Sequence, residues 1–262
     1  MASFTANDVE IAYDDITPAG GDDGAIVLIH GYASNRDEGW RRTGWYGAFE
    51  RRRMRVIALD QRGHGQSAKP HDAKACGREQ MAGDVLALMD HLGVGHAALF
   101  GYSMGTRTAI EAALAAPERF TNLILGGVGG RLLEPEAPGG RAAMAEAMLA
   151  DDPETIAETM PRRFRQFADR QGEDRLALAA VSAARSPPFD WETVGALPMP
   201  VLVVAGSDDM GAGDPQGLAR IFAHAHGVTV AGCDHFSAIP HALTKAAVFD
   251  FLDGVLDFEA RI

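Results

Sequence analysis

The chain has little of what usually ties small exported proteins together. Two cysteines, Cys76 and Cys233, in 262 residues are too few for a disulfide framework, so reduced thiols and a cytoplasmic setting are expected. No Cys/His cluster has the spacing of zinc ligands, so no structural metal is expected. No uninterrupted apolar run is long enough to cross a bilayer. The opening residues Met1 to Asp8 carry neither a basic nor an apolar leader pattern, so no signal peptide is expected. Positive charge is also in deficit. A net charge of −12 and a pI of about 5.1 argue against nucleic acid and anionic membranes as main partners. A small-molecule substrate is the expected partner. Oligomeric state is not written in the composition.

Apolar mass is abundant: 47% hydrophobic residues over 262 positions suit one large domain, or one domain carrying an insertion. Residues 1–24 read as an N-terminal hairpin or edge strand, through the alternating Val9-Glu10-Ile11-Ala12-Tyr13 and the turn after Pro18. Ala25–Ile29, Met54–Leu59, His96–Phe100, Asn122–Gly127, Val201–Gly206 and Val228–Ala231 are apolar runs, the signature of strands buried on both faces of a parallel sheet. Helical patterns separate them at Glu79–Leu92, Arg107–Ala116, Pro215–Ala225 and Ala242–Leu256. Strand and helix in alternation predict an α/β fold built on a doubly wound, mostly parallel sheet. Ligands in such sheets bind at the carboxyl ends of the strands.

The alternation stops between Arg131 and Leu197, where only helical signals remain: Ala142–Leu149, Pro153–Phe167 and Arg175–Ala184. Pro135 to Gly140 opens this stretch and Ser186-Pro187-Pro188 closes it. A helical cap bounded by Pro/Gly hinges is the reading, dividing the chain into a core of residues 1–130 and 198–262 and a cap of residues 131–197. The basic patch Arg162-Arg163 with Arg165 reads as a solvated face of that cap.

The chemistry centres on Gly101-Tyr102-Ser103-Met104-Gly105, set between an apolar run and a helix-forming run. A turn this abrupt strains Ser103 and pushes its hydroxyl out of the sheet, while a side chain at Gly101 or Gly105 would collide with a neighbouring element. A serine hydroxyl needs a base to take its proton, and the base needs an acid to hold its tautomer. His235, in the loop after the last strand, is the candidate base, with His241 as runner-up. His64, in a glycine-rich turn, reads as a loop-fixing residue, and His71, His91, His96, His224 and His226 read as structural or exposed. The acid belongs at the preceding strand end, where Asp209 is chosen over Asp208. Asp214 reads instead as the N-cap of the helix that opens at Pro215, and Asp234 adjoins His235 too closely to orient it. The backbone N–H groups of Met104 and Tyr32 are the candidate oxyanion donors. The Tyr32 and Tyr102 rings either line the pocket or pack beneath the cap.

These segments together resemble the α/β-hydrolase fold superfamily, in particular its lid-bearing serine hydrolases of esterase or lactonase type. His30-Gly31 resembles the family's oxyanion loop. Asp60-Gln61-Arg62-Gly63-His64-Gly65-Gln66-Ser67 resembles its D-x-R-G-x-G-x-S segment. The turn at Ser103 matches the nucleophile elbow, Gly206 to Asp209 the acid segment, and Gly232 to His235 the histidine segment. The resemblance implies a cofactor-free serine hydrolase acting on a small ester, lactone or thioester through Ser103, Asp209 and His235. Alternatives on the same scaffold are a cofactor-free perhydrolase of haloperoxidase type, a carbon–carbon bond hydrolase, and a ligand-binding receptor with a vestigial site. Serine rather than aspartate at 103 argues against a haloalkane dehalogenase or an epoxide hydrolase.

Overall fold

A computed structural model describes residues 2–136 and 139–255. The elements run in chain order as β1 (Ala2–Ala6), β2 (Val9–Ile16), β3 (Ala25–Ile29), α1 (Trp45–Glu50), β4 (Arg55–Leu59), α2 (Arg78–His91), β5 (Ala97–Tyr102), α3 (Met104–Ala115) and β6 (Phe120–Gly126). They continue as α4 (Gly140–Leu149), α5 (Thr159–Gln171), α6 (Arg175–Ala183), α7 (Trp191–Gly195), β7 (Val201–Gly206), α8 (Pro215–Ala219), β8 (Ala225–Val230) and α9 (Ala242–Leu252). The eight strands form one sheet in the order β1-β2-β4-β3-β5-β6-β7-β8. β1 and β2 make the N-terminal antiparallel hairpin, β2 runs antiparallel to β4, and every other pairing is parallel.

Side chains alternate across the pleat, so each apolar run feeds two cores at once. Ile26, Leu28, Phe100, Ile124 and Leu202 face Trp45 and Phe49 of α1 and Val248 and Phe251 of α9. Val27, Ile29, Leu99, Leu123 and Val203 face Val85 and Leu88 of α2, Ile110 of α3 and Leu218 of α8. α7 joins this second layer through Val194. Cys76 and Cys233 are buried and unpaired.

Three sequence readings differ from the structure in extent. The helix expected over Pro215–Ala225 ends at Ala219, because the chain from Ala225 pairs with β7: Val201 opposes Ala225 and Val203 opposes Gly227. Ala, His and Gly have weak strand propensity, and it is the sheet register that recruits them. The helical pattern from Pro153 breaks into a short turn over Pro153–Thr155 and the longer α5. The closing helix reaches Leu252, while Leu256, expected to end it, lies outside the described residues, as do Ala137 and Pro138 of the first hinge. Asp214 caps α8 as read, its carboxylate accepting from the Gln216 N–H at 3.0 Å.

Between β6 and β7, α4, α5 and α6 pack chiefly on one another, and their apolar residues meet Tyr32, Ala33 and Met81 of the sheet-bearing part. The basic patch is not a solvated face. Arg165 is buried, its guanidinium donating to the Ala147 carbonyl at 3.0 Å and to Asp169. Arg163 reaches across to Asp234 at 2.8 Å and lies over the Phe236 ring. The cap needs donors to satisfy carbonyls left over where its short helices end, and Arg165 meets that need.

Candidate active site

The turn after β5 is where the site begins. Ser103 has φ 55° and ψ −115°, a conformation that a residue with a Cβ tolerates only when its surroundings impose it. Here the Ser103 N–H donates to the Gly126 carbonyl at 2.7 Å, and the Thr106 hydroxyl sits 3.0 Å from the Gly101 carbonyl and 3.2 Å from that of Gly126. The flanking glycines are required by contact rather than by φ. A Cβ on Gly101 would overlap the Gly105 carbonyl, and a Cβ on Gly105 would overlap the Ile29 carbonyl of β3. Both neighbours are backbone and cannot swing aside. Gly105→Ala is therefore expected to cost about 3 kcal/mol, the upper end of overpacking penalties. A urea-unfolding midpoint equal to that of the parent would contradict this.

The Ser103 hydroxyl lies 2.9 Å from His235 Nε2, and His235 Nδ1 lies 2.6 Å from Asp209 Oδ2. The loop after β8 carries His235 and the loop after β7 carries Asp209, so three strand ends meet at one edge. Asp209 is 5% exposed, and its other oxygen accepts from the Gly211 and Ala212 N–H groups at 3.1 and 3.2 Å. With both oxygens occupied, the carboxylate has one orientation, and it holds the His235 proton on Nδ1. Nε2 is left as the acceptor facing Ser103. Asp208 is exposed, and among the described residues its carboxylate bonds only to the adjacent Ser207 hydroxyl, at 2.8 Å. His241 caps α9 through Nδ1, 3.2 Å from the Leu243 N–H.

The loop after β3 supplies the next part. A Cβ on Gly31 would stand 3.2 Å from Ser103 Cβ, so this loop lies directly against the serine. The Gln61 N–H donates to His30 Nε2 at 3.0 Å, which leaves the His30 proton on Nδ1, donated to the Gly31 carbonyl at 2.8 Å. Burial lowers the pKa of His30 and favours that neutral form. The Ser34 N–H donates to the same carbonyl at 3.3 Å. The Gly31–Tyr32 peptide is thereby pinned, with the Tyr32 N–H on the opposite side from the bonded carbonyl. Neither this N–H nor that of Met104, the first residue of α3, has an acceptor among the described residues.

The Tyr32 ring does two jobs that the sequence left as alternatives. It lines the cavity beside Ser103, and its hydroxyl donates to the Leu178 carbonyl at 2.9 Å and accepts from Ser182 at 2.7 Å, both on α6. Burial raises its pKa. The Tyr102 hydroxyl donates to the His235 carbonyl at 2.7 Å. Phe164 of α5 packs edge-on against Tyr32 and His235, at 5.7 and 6.0 Å between ring centres.

A knot of charge behind the loop was missed as such. Arg36 pairs with Asp60, whose Oδ1 accepts the Arg36 N–H at 2.7 Å and whose Oδ2 accepts the Gln66 N–H at 2.8 Å. Arg62 and Asp84 form a second buried pair, bidentate at 2.6 and 2.7 Å. Asp60-Gln61-Arg62 thus serves to fix loops. Gln61 shows it best: its amide N–H₂ donates to the His30 carbonyl at 2.7 Å while its Oε1 accepts from Thr108 at 2.7 Å. His64 is buried among these groups, which lowers its pKa strongly.

Two cavities open on the Ser103–His235 pair. One, of about 480 Å³, is walled by Tyr32, Met104, Val128, Phe164 and several arginines. The other, of about 220 Å³, is bounded by Phe167, Phe236, Ile239 and Pro240. Among the described residues no group of three or more His, Cys, Asp or Glu is placed to hold a metal ion, and no helix is long and apolar enough to cross a membrane.

The profile of the alpha/beta hydrolase fold family matches residues 24–191, more than half of the chain. The chain belongs to the alpha/beta hydrolase family. The chain is 34% identical over 205 residues to the dihydrolipoyllysine-residue acetyltransferase component of the acetoin cleaving system of Pseudomonas putida, covering 72% of its own length and about half (53%) of that relative. It is 26% identical over 225 residues to 3-oxoadipate enol-lactonase 2 of Acinetobacter baylyi, covering 79% of each. The enol-lactonase of Burkholderia xenovorans superimposes with a TM-score of 0.78 at 23% identity, over 96% of this chain and 100% of that one, a likeness of fold.

Proposed function

We propose that this alpha/beta hydrolase is a serine hydrolase of small carboxylic esters, lactones or thioesters, working through an acyl-enzyme on Ser103. The observation that carries the reading is the continuous hydrogen-bonded line from the Ser103 hydroxyl through His235 to Asp209, at 2.9 and 2.6 Å. A lactonase-named relative at 26% identity agrees with an acyl substrate.

In the first half-reaction Ser103 Oγ adds to the substrate carbonyl carbon while His235 Nε2 takes its proton. The oxyanion that forms accepts from the N–H groups of Tyr32 and Met104, the latter at the start of α3, where the helix dipole adds to the attraction. As the carbonyl re-forms, His235 passes the proton to the leaving oxygen or sulfur. In the second half-reaction His235 takes a proton from water, the hydroxide equivalent attacks the acyl-enzyme, and Ser103 leaves with the proton returned. Asp209 remains ionised throughout, holding Nδ1–H and stabilising the transient imidazolium. Helices α4, α5 and α6 act as the lid over this chemistry: Phe164 shields the imidazole from water, and the bonds of Tyr32 to α6 couple lid position to the oxyanion loop.

The test is covalent. A fluorophosphonate probe is expected to label the parent at Ser103, identified by peptide mass, and p-nitrophenyl esters of short acids are expected to be turned over with a burst of p-nitrophenol. A serine that neither reacts with the probe nor turns over any ester or lactone in a graded panel would refute the reading.

A further inference from the structure

The larger cavity carries a charge pattern that ester hydrolysis alone does not require. Arg107, Arg131 and Arg141 stand in its wall, in a chain of net charge −12. The acidic groups in the same wall are Glu136 and Asp209, and both are engaged. Glu136 is held by Arg141 in a fork at 2.5 and 2.6 Å, and Asp209 by His235. Arg141 also donates to the Ala184 carbonyl, so all three of its guanidinium nitrogens are engaged within the protein. Arg107 is in a different position. Its nearest anion is Glu136, 3.7 Å away and beyond hydrogen-bond reach, and its guanidinium makes no hydrogen bond among the described residues. Only 34% of its side chain is exposed, and burial lowers its pKa, although a guanidinium keeps its proton. Arg131 is exposed and has no side-chain partner among the described residues. Its turn is anchored by Gly130 N–H to the Asp214 carbonyl at 2.8 Å and Arg131 N–H to the Ala212 carbonyl at 3.1 Å, next to the peptides that hold Asp209.

Arg107, about two-thirds buried, has donors with no protein acceptor within hydrogen-bond reach, a deficit that an anion in the cavity would offset, and the exposed Arg131 adds positive charge to the same wall. Arg107 lies one helical turn beyond Ser103 on α3, so its separation from the reacting hydroxyl is set by a rigid element. We propose that Arg107 and Arg131 form an anion subsite, and that the substrate of this hydrolase carries a carboxylate on the arm that enters the larger cavity. The smaller, aromatic cavity takes the opposite, uncharged arm. This deepens the serine-hydrolase reading and rests on it for the reaction, but not for the binding.

Two probe pairs cover both arms. Mono-p-nitrophenyl glutarate against p-nitrophenyl pentanoate places the charge on the acyl side, and 4-acetoxybenzoate against phenyl acetate places it on the leaving side. In one pair the parent is expected to favour the anion in kcat/KM, and Arg107→Met or Arg131→Met to lower the anion-to-neutral ratio about ten- to a hundredfold, as for one charged hydrogen bond. Arg107→Lys should keep part of the ratio. Arg220→Met, on the exposed turn after α8, should leave it unchanged. In parallel, glutarate is titrated calorimetrically into the parent and both methionine variants, and binding is expected to the parent alone. Ratios near one in both pairs, unchanged in the variants, together with no glutarate binding, would overturn the subsite while leaving ester hydrolysis intact. Glutarate binding that Arg107→Met abolishes, in a protein without turnover, would support the subsite and refute the hydrolase reading instead.

Discussion

Ser103→Ala is expected to lower kcat on an activated ester by roughly 10⁵–10⁶-fold while leaving the fold intact. The attacking oxygen is removed, and what remains is whatever acceleration two backbone donors and a positioned imidazole give to water. Stability is not expected to fall, since alanine and serine meet the same steric conflict at φ 55°. Ser103→Gly separates the two properties. Glycine adopts positive φ freely, so this variant should be equally inactive yet more stable by about 1–3 kcal/mol, the strain held in such a conformation. Parallel rate assays and urea titrations on the three proteins read both quantities. Turnover persisting at the parent rate in Ser103→Ala would remove the nucleophile from the mechanism. A glycine variant less stable than the parent would show that the turn is not strained.

The second large effect comes from Asp209→Asn, with an expected fall in kcat of about 10⁴-fold. Gly211 and Ala212 N–H groups donate to Asp209 Oδ1 and will select the carbonyl oxygen of asparagine for that place. The amide NH₂ must then face His235 Nδ1, which can only accept. The imidazole proton moves to Nε2, and His235 points a donor at Ser103 where an acceptor is needed. The lost rate should return partly at high pH, where a little alkoxide or hydroxide forms without the base. Asp208→Asn is the control. The Asp208 carboxylate is exposed and, among the described residues, bonds only to the Ser207 hydroxyl, so a change of less than about threefold in kcat/KM is expected. A large loss at 208 with none at 209 would reverse the assignment of the acid.

Much of this was readable before any coordinates. Buried strands are long apolar runs, and β3, β5, β6 and β7 fall where those runs fall. β8 was read too short because its first half, Ala225-His226-Gly227, has no strand propensity of its own and is held by pairing with β7. The placing of Ser103 and His235 in reach of one another followed from their strand ends, since all parallel strands deliver their loops to one edge. The choice of Asp209 over Asp208 rested on a residue count, and the physical reason emerges only in space: one side chain is buried under two peptide donors and the other faces water. Arg165 was misread for the opposite cause. A basic cluster looks the same in one dimension whether it is solvated or buried under carbonyls, and only the packing of α4 on α5 and α6 distinguishes the two. Arg107 gave no signal at all, because an inward-facing arginine with idle donors is defined by what surrounds it.

The order of residues along the chain determined the sheet, the abrupt turn at Ser103 and the roster of reactive groups, because apolar periodicity and glycine at crowded backbone are local properties. The tertiary structure alone decided which carboxylate meets the imidazole, which tautomer results, and which arginines face the cavity. Each of those depends on groups far apart in sequence and within a few ångströms in space, and burial gives them their strength.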